Sequence, residues 1–221
     1  MKKVFIITGA NRGLGEALVD LLIEGEDNFI ISISRRLSEA QRNYSKEKFH
    51  LLKMDLSSNS ISERLREINR FISGNEICFI TNASIIDPIA KIEDLDDEAI
   101  DTIIGVNVKA TVQITKYILR NFKENKLSFV NISSGAANRA INNWSLYCST
   151  KAFVKMFFNV AEKEYEQHSF FNIDPGLIDT GMQKNIRDSD SPDVSDFQRL
   201  KKEGKLQSAR DVAKEIIHTI S

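Results

Sequence analysis

Tyr147 and Lys151 stand four residues apart in a stretch of helical periodicity, a spacing that puts both side chains on one helix face. An unperturbed phenol ionises near ~10, too high for easy proton exchange at neutral pH. A lysine cation close by favours the phenolate and brings that value down, toward the range in which a general acid works best. Tyr-x-x-x-Lys alone is a common string, but Ser134 adds to it. Ser134 lies 13 residues before Tyr147, in FVNISSG, just past an apolar run that reads as a strand. The carboxyl end of a strand and the first turn of the next helix would then bring a hydroxyl, a phenol and an ammonium to one side of a sheet.

A second cluster has the chemistry of phosphate binding. Gly9, Asn11, Arg12, Gly13, Leu14 and Gly15 belong to TGANRGLG, Thr8 to Gly15, between the apolar run Val4–Ile7 and the amphipathic stretch Gly13–Glu24. Glycines at a strand-to-helix turn let the backbone approach a ligand with no Cβ in the way. The helix that follows offers free N–H groups and a positive dipole end to a pyrophosphate. The required context, a strand before and a helix after, is met. The second strand ends in Ser34, Arg35 and Arg36 with no acid. A carboxylate there would hold the 2′-hydroxyl of NAD. Guanidinium groups match a 2′-phosphate, so NADP(H) is the expected cofactor. For Arg36 the plainer reading, a solvated loop charge, stays open.

The elements that must position these groups alternate. Strands are expected at Val4–Ile7, Phe29–Ile33, Phe49–Met54, Ile77–Ile80, Leu127–Ile132 and Phe170–Ile173. Helices are expected at Gly13–Glu24, Ile61–Ile72, Asp97–Asn125 with a bend near Gly105, Ser145–Gln167 and Ala209–Ile220. That order reads as an α/β fold, a Rossmann-type doubly wound parallel sheet with helices on both faces. Its ligand belongs at the carboxyl ends of the strands. The 221 residues suit one domain, with the polar stretch at about 181–206 as a substrate lid.

Composition excludes several classes. Lys+Arg 30 against Asp+Glu 31 leaves no basic excess for nucleic acid. No apolar run reaches the ~18 residues of a spanning helix, and Val4–Ile7 is too short for the core of a signal peptide. Cys78 and Cys148 make no disulfide framework, which suits a reduced, cytoplasmic protein. His50, His168 and His218 are scattered, so no metal is expected. Cys78 reads as a core residue. The run Phe153, Phe157, Phe158 reads as core or a subunit interface.

TGANRGLG, Asp55-Leu56, Asn82-Ala83, Asn107, ISSG, YCSTK and DPGLIDT occur in the order and spacing of the short-chain dehydrogenase/reductase family, which the whole chain resembles. The strings SISRR, WSLYCSTKA, PGLIDTGMQ and LKKEGKL are most similar to its sepiapterin reductase and benzil reductase branch. The resemblance implies that Tyr147 donates a proton to a carbonyl oxygen in reduction. Lys151 would lower the phenol's pKa and bind the nicotinamide ribose. Ser134 would polarise the substrate oxygen, and Asn107 would hold a water that relays protons. Asp55, beside Leu56, would meet the adenine, and Asn82 and Ala83 would pack beside its ribose. Ile178 and Thr180, after Pro175-Gly176, would bind the carboxamide. The implied activity is NADPH-dependent reduction of a small ketone or 1,2-dicarbonyl by a homodimer. Trp144 and Met182 are candidate walls of the substrate pocket.

The chain departs from the pattern in three places. Ser84 stands where the family usually has glycine, the stretch from Tyr147 to Pro175 looks short, and no seventh strand follows the last helix. The resemblance puts a pterin-anchoring carboxylate in that region, so its absence argues against a pterin substrate. A silent NADP(H)-binding sensor or scaffold of the same fold is the alternative to an enzyme.

Overall fold

The computed structural model describes residues 2–72, 76–189 and 194–221. Six parallel strands form one sheet: β1 (Lys3–Thr8), β2 (Asn28–Ser34), β3 (Phe49–Lys53), β4 (Glu76–Thr81), β5 (Leu127–Ile132) and β6 (Ser169–Ile173). They lie in the order β3-β2-β1-β4-β5-β6. The order reverses between β1 and β4, which opens a crevice at their carboxyl ends.

Helices cover both faces: α1 (Gly13–Leu22), α2 (Ile61–Arg64), α3 (Asp97–Ile104), α4 (Ala110–Asn121), α5 (Ser145–Glu164), α6 (Gly181–Arg187), α7 (Val194–Lys202) and α8 (Ala209–Ile220). Alternation along each strand divides the core. Val4, Ile6, Phe79 and Phe129 meet Ile114 and Ile118 of α4 and Phe158 of α5 on one face. Phe5, Ile7, Ile80 and Val130 meet Leu18 of α1 and Ile216 of α8 on the other. Near-continuous apolar strands are the signature of a sheet buried on both sides. Cys78 is fully buried in β4, and burial pushes its thiol up to about 12.

The expected elements are present, with differences of detail. The Ile61–Ile72 stretch winds one α turn, then continues as a 3-10 helix over Leu65–Arg70. The bend expected near Gly105 is a π-helical segment, Gly105–Lys109, between α3 and α4. The polar stretch after Gly181 holds two helices, α6 and α7, which pack on each other. Its residues 190–193 lie outside the described ones. Between α5 and β6 the connection is four residues, and β6 pairs with β5 from Ser128↔Ser169 to Ile132↔Ile173, so the short stretch before Pro175 still completes a strand.

Gly15 fixes how closely α1 sits on the sheet. A Cβ there would lie 2.4 Å from the Gly9 carbonyl oxygen and 2.5 Å from Asn82 Nδ2. Alanine would gain roughly 0.5–1 kcal/mol of helix propensity, but overpacking costs about 1–3 kcal/mol. Gly15→Ala is therefore expected to destabilise by about 1–2 kcal/mol. Urea denaturation followed by circular dichroism measures this, and an unchanged midpoint would contradict the close packing.

Candidate active site

The carboxyl ends of all six strands border one cavity of about 850 Å³. β1 leads into Gly9, β2 into Ser34–Arg36, β3 into Met54–Leu56 and β4 into Asn82–Ser84. β5 leads into Ser133–Gly135 and β6 into Asp174–Gly176.

At one end the wall is backbone and guanidinium. Gly9 has φ +63, and a Cβ on it would lie 2.8 Å from Ala83 Cα, so only glycine fits the turn. Arg12, Arg35 and Arg36 are exposed and line the same end. Buried Ser34 donates to the carbonyl of Arg36 at 2.9 Å, which shapes the turn that presents both arginines. Buried Gln41 braces the glycine loop by donating to the Ala10 carbonyl at 2.6 Å. Asp55 lines the cavity, but its Oδ1 accepts from Ser57 N at 3.0 Å and Ser57 Oγ at 2.8 Å. Those two bonds, with Arg35 nearby, hold its carboxyl below the usual range. Asn82 donates to the carbonyls of Thr8 and Gly9 at 2.9 and 3.1 Å.

At the other end are Ser134, Tyr147 and Lys151. The first turns of α5 carry Tyr147 and Lys151, both nearly buried at 6 % and 7 % exposure. The Lys151 ammonium lies 5.7 Å from the centre of the Tyr147 ring and donates to the Ile132 carbonyl at 2.8 Å. Burial pushes the Tyr147 phenol up to about 12, and the Ser134 hydroxyl is the strongest influence against that rise. Burial pushes Lys151 down to about 8, with the Asp174 carboxylate opposing. Ser134 Oγ accepts from Ala136 N at 3.2 Å. Asn107 sits in the π-helical segment behind the wall. Its side chain is committed to Ile85 N and O at 2.9 and 2.8 Å and to Thr150 Oγ1 at 3.1 Å.

The cavity thus gathers the residues singled out by sequence, including Asn11, Gly13, Leu14, Leu56, Ala83, Pro175, Ile178 and Thr180. Gly15 and Asn107 support its wall from behind and do not line it. Trp144 and Met182 both line it. Trp144 meets Tyr147 edge-on at 5.8 Å and stacks on Phe197 of α7 at 5.7 Å. The phenol points at Met182 Sδ, 3.8 Å away. Sequence reasoning gave no role to Arg139 or Asp174, placed Gln183, Ile186 and Phe197 only within the lid stretch, and marked Ser84 only as a departure from the family glycine; all six line the cavity. For Asp174 a signal existed: it directly follows the sixth strand. No group of three His, Cys, Asp or Glu able to hold a metal occurs among the described residues. None of their helices is long and apolar enough to cross a membrane.

A Rossmann-type sheet with a glycine turn at one end of its crevice and a Ser, Tyr and Lys at the other is the plan of a dehydrogenase. The chain belongs to the short-chain dehydrogenase family, whose model, "short chain dehydrogenase", matches residues 3–191. It is 36% identical to a benzil reductase ((S)-benzoin forming) of Bacillus cereus over 96% of this chain and 91% of that protein. It is 26% identical to the sepiapterin reductase of Bos taurus over 96% of this chain and 87% of that protein. Among solved structures, a short chain dehydrogenase from Burkholderia cenocepacia J2315 in complex with NADP superposes with a TM-score of 0.78 at 20% identity. That match covers 99% of this chain and 84% of the other and is a likeness of fold.

The buried ammonium has a thermodynamic signature. Folded Lys151 loses its proton near pH 8, whereas an unperturbed lysine keeps it to 10.5. Across that window the unfolded chain binds more protons, so this group makes stability rise with pH. Above pH 10 the raised phenol of Tyr147 acts in the opposite sense, because the unfolded tyrosine ionises first. Between pH 8 and 10 the free protein is expected to gain on the order of 2 kcal/mol from Lys151. Urea unfolding of wild type and Lys151→Met at both pH values isolates the term; an equal pH response in the two would refute it.

Proposed function

We propose that this protein is an NADPH-dependent carbonyl reductase acting on a small ketone or 1,2-dicarbonyl with apolar substituents. The reading is carried by the meeting of Ser134, Tyr147 and Lys151 in one cavity with the glycine turn and three arginines. The cavity suits the cofactor: Gly9 leaves open the space its Cβ would fill, and no carboxylate stands at the end of β2 to repel a 2′-phosphate. Arg12, Arg35 and Arg36 would hold that phosphate. Lys151 would reach the nicotinamide ribose, and Ile178 and Thr180 its carboxamide. The NADP named for the Burkholderia structure and the benzil and sepiapterin reductase relatives favour the same reading.

Bound NADPH would supply the hydride. The chain's own residues manage the oxygen that gains charge. Ser134 donates a hydrogen bond to it. Tyr147 donates its proton to it, leaving a phenolate beside the Lys151 cation. The cation's attraction is realised only as the proton leaves, so it is spent on the transition state. Asp174 offsets part of the cost of burying that cation. The chamber beside Tyr147 is lined by Ile85, Ile86, Ile141, Trp144, Ile186 and Phe197, which fits apolar or aromatic substituents. Residues at about 181–206, with α6 and α7, would serve as its lid and exclude water.

Phe153, Met156 and Val160 on the outer face of α5 are 49 %, 61 % and 46 % exposed. They form a stripe that supports a homodimer through this helix. Free Cys78 and Cys148 suit the reducing cytoplasm.

Tyr147→Phe is expected to lower kcat with benzil or another activated diketone by about 10²–10⁴-fold while NADPH affinity changes little. Following NADPH absorbance and cofactor binding together tests it; equal loss of both would make the tyrosine structural. Tight NADPH binding with no dicarbonyl reduced by wild type would favour the silent sensor. Arg35→Ala is expected to weaken NADPH binding by about ten- to a hundred-fold and to leave NADH binding nearly unchanged. Parallel titrations of both nucleotides measure this, and a wild-type preference for NADH would overturn the cofactor assignment.

A further inference from the structure

Ser84 and Ser134 occupy matching places on neighbouring strands. β4 and β5 are parallel with Thr81 opposite Asn131, so each serine stands three residues past the same rung. Both line the cavity. The chain on either side of Ser84 is pinned. Asn82 N and Ala83 N each donate to Thr8 Oγ1 at 3.0 Å. Beyond it, Ile85 N and O are held by the Asn107 amide at 2.9 and 2.8 Å. A side chain between two such anchors has little freedom to turn elsewhere.

The Ser84 hydroxyl is buried and makes no hydrogen bond with any described group. Buried hydroxyls without partners are costly and uncommon. One held rigidly at a reaction site suits an acceptor that strengthens when it loses a proton. The phenol of Tyr147 is such a group. As a neutral phenol it turns its proton toward Met182 Sδ. The neutral phenol oxygen is already an acceptor, but the phenolate adds a full charge, and a hydrogen bond to a charge is about twice as strong as one to a neutral group.

We propose that Ser84 is a positioning residue for Tyr147, its hydroxyl donating to the phenolate oxygen as the phenol gives up its proton. No proton leaves Ser84; the transferred proton is the one on Tyr147. The Ser84 hydroxyl works alongside Ser134 in opposing the effect of burial on the phenol. The other charged or titratable groups about that phenol are Lys151 one turn along α5, Cys148 beside it and Asp174 after β6; Arg139, in the loop before α5, lines the same cavity. Asp174 and Cys148 disfavour the phenolate, so a second donor offsets them. The rate effects of this role rest on the carbonyl reductase reading; the titration of the phenol does not.

The experiment replaces tyrosine by a ring-fluorinated tyrosine, whose more acidic phenol titrates where the fold survives. The residue-147 fluorine resonance is assigned by its loss in Tyr147→Phe. In the free protein, Ser84→Ala and Ser84→Gly are each expected to move its titration to higher pH. With NADPH and benzil, both are expected to lower kcat about five- to ten-fold with little change in the KM for NADPH. Two variants guard against one failing to fold, and thermal melting identifies the folded one. An unmoved titration in a folded variant overturns the proposal, as does a change confined to the KM for NADPH, which would make Ser84 a cofactor contact. If no carbonyl compound is reduced, the titration still decides the role of Ser84, and the loss falls on the functional reading alone.

Discussion

The hydrogen bonds between Thr8 and Asn82 join the two strands on which every other part of the site depends. The Thr8 hydroxyl accepts from both Asn82 N and Ala83 N, and the Asn82 amide donates back to the carbonyls of Thr8 and Gly9. These bonds lie where the strand order reverses, between β1 and β4. A crevice at such a point has backbone that no ladder can pair, and buried backbone groups demand partners. Thr8 and Asn82 supply those partners with side chains. The crevice can then stay open without collapsing, with Gly9 turned toward it and Gly15 pressed beneath.

Burial works against the chemistry it makes possible. Removing Tyr147 and Lys151 from water drives both toward their neutral forms, the phenol up to about 12 and the ammonium down to about 8. A site assembled from those two groups alone would hold its proton too tightly and its cation too loosely. The surrounding polar groups correct each half. Ser134 draws the phenol back, and Asp174 retains the ammonium's proton. The Asp174 carboxylate also penalises the phenolate, so no single charge serves both groups. Hydroxyls avoid that conflict, because they stabilise an anion without adding charge to the cavity.

The fold and most of the residues lining the candidate site were legible because they follow from short-range pattern. A run such as Val4–Ile7 buried on both faces, then a glycine turn, then a 3.6-residue periodicity can be read without coordinates. Tyr147 and Lys151 declare themselves by helix spacing. Ser134 declares itself by standing at a strand end. Residues whose place depends on register between strands were harder to see. Ser84 matches Ser134 only once β4 is laid against β5, and sequence alone marked it as a departure from a pattern. Asn107 was readable as a candidate, but its commitment to the main chain of Ile85 follows from a π-helical turn that leaves no periodic mark. Phe197 lies in a strongly polar stretch, where one buried aromatic in a nine-residue helix is outweighed by its charged neighbours.

That aromatic links α7 to Tyr147 through Trp144. Phe197 of α7 stacks on Trp144 with an interplanar angle of 15°, and Trp144 stands edge-on to Tyr147 at 84°. Trp144 is also the N-cap residue of α5, so it is fixed by the helix that carries Tyr147 and Lys151. A displacement of α7 must therefore slide or break a stack whose other side rests on the Tyr147 ring. Aromatic pairs of this kind contribute about 0.5–1.5 kcal/mol beyond the area they bury, which favours the docked position of α7. A substrate with an apolar or aromatic substituent would extend the same stack, and its binding energy would go toward holding α7 down. A polar one would leave the indole and phenyl faces against water or an unmatched group. On the proposed reading, a preference for apolar carbonyl compounds and the exclusion of water from the phenol would share one physical origin.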